Sequence, residues 1–280
     1  MKTITALIVT YNAERYIKGC LESVNGWVDE ILIVDMFSSD RTIAIAKEYT
    51  DRIIQDKEEN HELRTNLGID DARSEWILKV NATERITPQL RDEIIQEVNA
   101  DKGYCGYFIP RRSYCTCAFI EEKPGVLYLF KKGAGKYNAI RPHAQIELKG
   151  KVGYLKNFNI HWASLNIEQG INKLNSYTSR EAQEVFKGNS GAFWWSRPVY
   201  KVNAFNLTYR MLAGFYMFYF QAKFYRYGLH GFIESINGAF YFFVEMAKLW
   251  ELQYKQKHNI NDELLPYSFE NNEKTSQPRR

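Results

Sequence analysis

Three short runs of aliphatic and β-branched residues, each closed by a polar residue, constrain this chain of 280 residues more than any other feature. They are residues 3–10 (TITALIVT), 30–35 (EILIVD) and 75–80 (EWILKV), the last followed by Asn81. Such compact apolar runs predict strands buried on both faces, since a strand with one wet face would alternate. After the first run, Ile17, Leu21 and Val24 recur at helical spacing, with Asn12 as the expected N-cap. A polar turn at 37–40 follows the second run, with Asp40 expected to cap a helix through Ala44 and Ala46. A short strand at 52–54, a helix near 62–72 and a helix opened by Pro88 and running to about residue 98 complete the pattern. Strand and helix alternating at this length predict an α/β fold, a mostly parallel sheet with helices on both faces.

The pattern changes near residue 104. Residues 104–110, 126–130, 145–148 and 152–160 read as shorter strands of a mixed extension. From 167 the chain reads as helical, over 167–186, 197–227 and 232–256, and the last fifteen residues are polar and expected to be disordered. The expected organisation is a domain over 1–165, made of a first part in 1–100 and an extension in 101–165. A helical region follows over 166–256, then a polar tail over 257–280.

Composition excludes several functions. A net charge of +4 is too small to point to nucleic acid, but suits an anionic substrate or an anionic membrane surface. No Gly-rich turn follows the first strand, where VTYNAE stands instead, and no phosphate-cradling loop occurs, which argues against NAD and simple ATPase readings. Residues 1–12 lack the long apolar stretch and small-residue cleavage site of an export signal. Cys20, Cys105, Cys115 and Cys117 show no zinc-type spacing, so they are expected to be free thiols of a cytosolic protein.

Ligands of an open parallel sheet bind beyond the carboxyl ends of its strands. Those ends here carry Thr10-Tyr11-Asn12, Asp35 and Asn81-Ala82-Thr83-Glu84. The motifs around them are IVTYN (8–12), VDMFSSDRT (34–42) and WILKVNATERI (76–86), with YFIPRR (107–112), VGYLKNFNIH (152–161), KLNSY (173–177) and AKLWE (247–251) further on. This ordered set resembles the family 2 glycosyltransferases of the GT-A fold, whose sheet is Rossmann-like. The later motifs are similar to those of bacterial lipopolysaccharide inner-core glucosyltransferases.

The resemblance implies an inverting hexosyltransferase that uses a nucleotide diphosphate sugar, with a UDP-sugar the expected donor. Its acceptor would be a lipopolysaccharide core, glycolipid or surface polysaccharide. Asp35 would receive the base or ribose, with Thr10, Tyr11, Asn12 and Glu14 lining the same pocket; a carboxylate accepts hydrogen bonds from a base N–H or ribose hydroxyls. Arg64 and Asn66 fall where the family carries a basic residue and an Asn near the donor, and Arg64 is expected at the diphosphate. The family's Asp-Ala-Asp motif holds Mg²⁺ or Mn²⁺, but this chain has Asn81 and Thr83 there. Neither carries a charge, so metal affinity should fall. The family's His-Glu is His143-Ala144, and its Gln-x-Arg-Leu-Phe is Val126-Leu-Tyr128-Leu-Phe130. Glu84 and His143 are then the candidate general bases, and His161 a possible ligand or buried structural imidazole.

Two readings fit these departures. One is a transferase that offsets diphosphate charge with Lys79, Arg85, Arg111 or Arg112. The other is a catalytically silent relative that binds or scaffolds in the same pathway. The C-terminal region carries much of the chain's aromatic content, in FWWSRPVY, FYMFYFQAKFYRY and GAFYFFVEMAKLW, interrupted by Arg210, Lys223, Arg226, Glu234 and Glu245. Aromatics mixed with cations predict helices lying at a membrane interface, or else an aromatic core over the sheet edge, and the resemblance implies the first, at the inner face of the cytoplasmic membrane.

Overall fold

The computed structural model describes residues 1–58, 60–137, 146–188 and 202–260. Strand β1 (Ile4–Thr10) is buried throughout, as its apolar run requires, and pairs in parallel with β2 (Glu30–Asp35) and β4 (Trp76–Asn81). β3 (Ile53–Gln55) extends the parallel set beyond β2. The register places Thr10 opposite Asp35 and Val9 opposite Asn81, so the polar strand ends meet at one edge.

Helices cover both faces. α1 (Glu14–Val24) and α4 (Pro88–Ala100) bury Ile17, Leu21, Val24, Leu90, Ile94 and Val98 against Ile8, Trp76 and Leu78. α3 (His61–Asp71) buries Ile69 on the opposite face with Leu7, Val34 and Ile77. The short α2 (Thr42–Ala46) lies beside α1. Pro88 begins α4 as expected, and the Thr87 side chain accepts the Leu90 N–H.

The extension continues the same sheet in the order β3-β2-β1-β4-β7-β6-β11-β5. Its strands are β5 (Glu84–Ile86), β6 (Gly106–Cys115), β7 (Ala118–Lys131), β10 (Val152–Tyr154) and β11 (Asn159–Ser164). β7 runs antiparallel to both β4 and β6, while β10 and β11 are parallel to β6. β8 (Gly135–Tyr137) and β9 (Ile146–Leu148) form a separate antiparallel pair. The helical region holds α5 (Ile167–Phe186), α6 (Ala204–Tyr216) and α7 (Gly228–His258).

Three sequence expectations are corrected. Asn12 does not cap α1: it sits at φ 45°, its side chain accepts the Ser39 N–H at 2.9 Å, and Ala13 is the N-cap. Asp40 is the residue that joins the two helix starts, accepting the N–H groups of Glu14 and Thr42 at 3.0 and 2.9 Å. The run 152–160 is split between β10 and β11, because pairing with two different stretches of β6 breaks it. The helix expected over 197–227 ends at Tyr216 within the described residues, passes through a π-turn at Met217–Gln221, and stops at Lys223, which has φ 61°.

Candidate functional site

The site is built at the carboxyl edge of β1, β2 and β4. Asp35 is fully buried, and its carboxylate accepts the Ser38 N–H at 2.8 Å, the Ser38 hydroxyl, and the Gln55 amide at 3.3 Å. Thr10 beside it is buried, and its hydroxyl has no hydrogen-bond partner among the described residues. Tyr11 is 50% exposed, next to the exposed Asn12. The Glu14 carboxylate accepts the Arg41 N–H at 3.0 Å, so it braces the α1–α2 contact.

α3 carries Arg64 into this edge. Its side chain is 6% exposed, and Nε and Nη1 have no hydrogen-bond partner among the described residues. Burial lowers its affinity for the proton, opposed first by the Asp35 charge and then by Asp56. Arg180 of α5 adds a second positive field at Arg64. At its other end α5 reaches α1, where the Gln169 amide donates to the Tyr16 hydroxyl at 3.3 Å. Asn66, by contrast, pairs twice with the Tyr137 backbone, both at 2.9 Å, and so fixes β8 to α3.

Below Asn81 lies a second buried cation. Lys79 and Asn81 alternate onto one face of β4, as the strand period dictates. The Lys79 ammonium lies 4.9 Å from the Tyr128 ring centroid and 4.7 Å from that of Tyr137. Burial pulls its pKa down to about 8, while Glu84 and Glu62 support its charge. The Asn81 amide donates to the Tyr128 hydroxyl at 3.1 Å, and its backbone N–H donates to Glu84 Oε2 at 2.8 Å. Glu84 is wholly buried; burial raises its pKa, and Arg111, with Nη1 3.8 Å from Oε1, opposes the rise. Thr83 is half-buried and its carbonyl accepts the Trp162 N–H at 2.9 Å, tying the turn to β11. His161 lies on β11 with Nδ1 3.0 Å from the Ser113 hydroxyl, and burial followed by the Arg111 and Lys173 charges pushes its pKa down to about 3.

Two expected phosphate cations are engaged elsewhere. Arg85 is locked under α1, donating to the carbonyls of Ala82, Glu84 and Tyr16. Arg112 alternates to the face of β6 opposite Arg111, where it pairs with Glu121 at 2.8 Å and covers the Phe158 ring. His143 and Ala144 lie outside the described residues. A cavity of about 530 Å³ lined by Thr3, Glu30, Arg52 and Arg73 sits at the opposite, amino end of the strands and is separate from these residues.

The donor set does not fit a hard divalent cation. Asn81 and Thr83 offer neutral oxygens, and the Glu84 carboxylate faces the turn backbone and Arg111. Among the described residues, no three His, Cys, Asp or Glu side chains form a group able to hold a metal. Sequence reasoning missed Glu62, Tyr128, Tyr137, Ser113 and Arg180 as parts of this region. Only Tyr128 carried a signal, as the residue standing where the resembling family has Arg.

Residues 5–142 match the model of the family described as Glycosyl transferase family 2. An uncharacterized glycosyltransferase of Rickettsia felis is 26% identical, with 99% of each chain covered. The lipopolysaccharide core biosynthesis glycosyltransferase LpsC of Rhizobium meliloti is 27% identical, over 93% of this chain and 97% of the relative. The crystal structure of S. aureus TarS 1–349 in complex with UDP-GlcNAc aligns with a TM-score of 0.49 at 10% identity, over 91% of this chain and 92% of that one. Through residues 5–142, which hold the strand-end site, the chain carries a family 2 glycosyltransferase domain.

Proposed function

We propose that this glycosyltransferase moves a hexose from a UDP-sugar, with inversion, to a lipopolysaccharide core, glycolipid or surface polysaccharide at the inner face of the cytoplasmic membrane. It does so without a tightly held divalent cation. The observation that carries this reading is a pair of buried cations near the strand ends, Arg64 beside Asp35 and Lys79 on the same face of β4 as Asn81, with half-buried Arg111 against Glu84, where neutral side chains replace the resembling family's acidic motif. Desolvated cations held in place by the fold offset phosphate charge without reorganising. Asp35 and Thr10 take the nucleoside, and Tyr11 and Asn12 line the exposed rim. The likeness to LpsC supports the lipopolysaccharide acceptor.

In the transfer, an acceptor hydroxyl oxygen bonds to the anomeric carbon as the bond from that carbon to the diphosphate oxygen breaks. The diphosphate leaves with the bonding pair, and the hydroxyl proton passes to a base. Glu84 and His143 are the residues proposed for that proton. The Glu84 carboxylate also supports the 81–84 turn through the Asn81 N–H, which gives it a positioning role in either case.

Calorimetric titration with UDP, GDP and UDP-glucose, each with Mn²⁺ and with EDTA, tests the reading. Micromolar binding of UDP or UDP-glucose that is equal under both conditions is expected. Binding that needs Mn²⁺ overturns the metal-free site. No binding under either condition points to a scaffold that has kept the fold and lost the donor.

A further inference from the structure

The helical region exposes an apolar face that the sheet does not use. On α6, Phe205, Tyr209, Leu212 and Tyr216 recur at i, i+4, i+7 and i+11, and all point outward, Phe205 being 76% exposed. On α7, Leu229, Ile236, Phe240, Phe243 and Trp250 make a second outward stripe, beginning with Leu229 at 74% exposure. Phe232 joins the two, its ring centroid lying 5.7 Å from Phe215 and 5.9 Å from Tyr219. Exposed apolar residues repeating along two packed helices form stripes, where scattered surface residues would show no period.

Its charges have one sign. Between residues 203 and 250 the only acids are Glu234 and Glu245. Glu234 accepts the Thr116 hydroxyl at 2.6 Å, and Glu245 is buried. Arg210 is buried as well, and Lys248 turns to Asn175, Thr178 and Ser179 of α5. Lys223 and Arg226 are left exposed at the tip, on either side of Tyr225. Outward Phe, Tyr and Trp with a cationic tip complement an anionic lipid headgroup layer. No helix among the described residues is long and apolar enough to cross a membrane.

We propose that the α6–α7 face seats on an anionic bilayer with both helices in the interfacial plane, and that this seating holds the β6–β7 hairpin, and with it Arg111, at a fixed height over the lipid. The link is direct. His230 at the start of α7 bonds the Cys115 carbonyl at 2.8 Å, Glu234 holds Thr116, and the Tyr227 hydroxyl accepts the Glu121 N–H at 3.2 Å. The proposal deepens the reading above, on which it rests for a lipid-borne acceptor.

Flotation of the full chain with vesicles of phosphatidylglycerol and phosphatidylcholine, against phosphatidylcholine alone, tests it. The chain should float with the anionic vesicles and be released by salt. Lys223→Glu with Arg226→Glu should weaken partition about tenfold or more. Phe240→Ser with Phe243→Ser should weaken it comparably while circular dichroism and UDP binding stay as in the parent. A chain that floats with neither vesicle overturns the proposal. So does a dimer in sedimentation analysis that these same substitutions dissociate, which assigns the face to a second copy. Failure of UDP binding with flotation intact would instead sink the donor reading alone.

Discussion

Replacing Gly68 by Ala tests how α3 delivers Arg64 to the site. An added Cβ would stand 2.3 Å from Leu7 Cδ1, 3.1 Å from Leu7 Cδ2 and 3.0 Å from Val34 Cγ2. Carbon atoms rest at about 3.5–4.0 Å, so α3 must move off the sheet by about 1 Å or Leu7 must leave its rotamer. Leu7 is fully buried in the packed core, which leaves it little room to turn. Overpacking of this kind costs about 1–3 kcal/mol, and the better helix propensity of Ala returns at most about 1 kcal/mol. For a chain of this size each kcal/mol is about 2–4 °C in Tm, so a fall of several degrees is expected. UDP affinity should weaken with it, because the displaced helix carries Arg64. Adding Leu7→Ala reopens the space, so the double variant should be less destabilised than the sum of the singles by about 1 kcal/mol or more. Thermal melts and UDP titrations of the four proteins decide it. An unchanged or raised Tm for Gly68→Ala, or strict additivity with Leu7→Ala, refutes the close contact as the reason for glycine.

Three further outcomes are expected. Asp35→Asn removes a buried charged acceptor, worth about 1.5–3 kcal/mol in such a hydrogen bond, and should weaken UDP binding roughly 10- to 100-fold by calorimetry; parental affinity would remove Asp35 from the nucleoside site. Asn81→Asp with Thr83→Asp should create Mn²⁺-dependent UDP binding, and binding that stays indifferent to Mn²⁺ would show that this turn does not face the diphosphate. The pH dependence of stability should combine two opposed slopes. Glu181, buried beside Glu245, has its pKa raised to about 7, so the folded state holds more protons than the unfolded one above about 4.5, and stability is lost as pH climbs through that window. His161, with its pKa lowered to about 3, adds stability as pH rises from about 3 to 6.5. Glu181→Gln should therefore raise Tm more at pH 8 than at pH 5, and the His161 imidazole should stay neutral by NMR from pH 5 to 8. Equal shifts at both pH values, or titration of His161 near 6.5, would contradict these assignments.

Much of the architecture was legible from residue order alone. β1, β2 and β4 announced themselves because a strand buried on both faces is apolar at most of its positions, a condition met locally. α4 and α5 were legible too, the first from Pro88 at its start and the second as a helix read over 167–186. Asp35 and Asn81 stood out as site residues because they close such strands, and parallel pairing must bring those ends together. β5, with its polar Arg85, showed no comparable pattern and exists because β11 pairs with it.

Individual side chains were decided by the tertiary structure. Asn66 read as a donor contact, yet it binds the Tyr137 backbone, 71 positions away. Arg85 read as a phosphate cation, but α1 lies over it and takes its guanidinium. Lys79 gains its character from Tyr128 and Tyr137, which reach it only because β7 docks on β4 and β8 on α3. Local periodicity determines whether an element is buried, since every neighbour along the chain contributes to that pattern. Which charge a buried cation meets depends on strand order and register, and those are set by contacts between residues far apart in the chain.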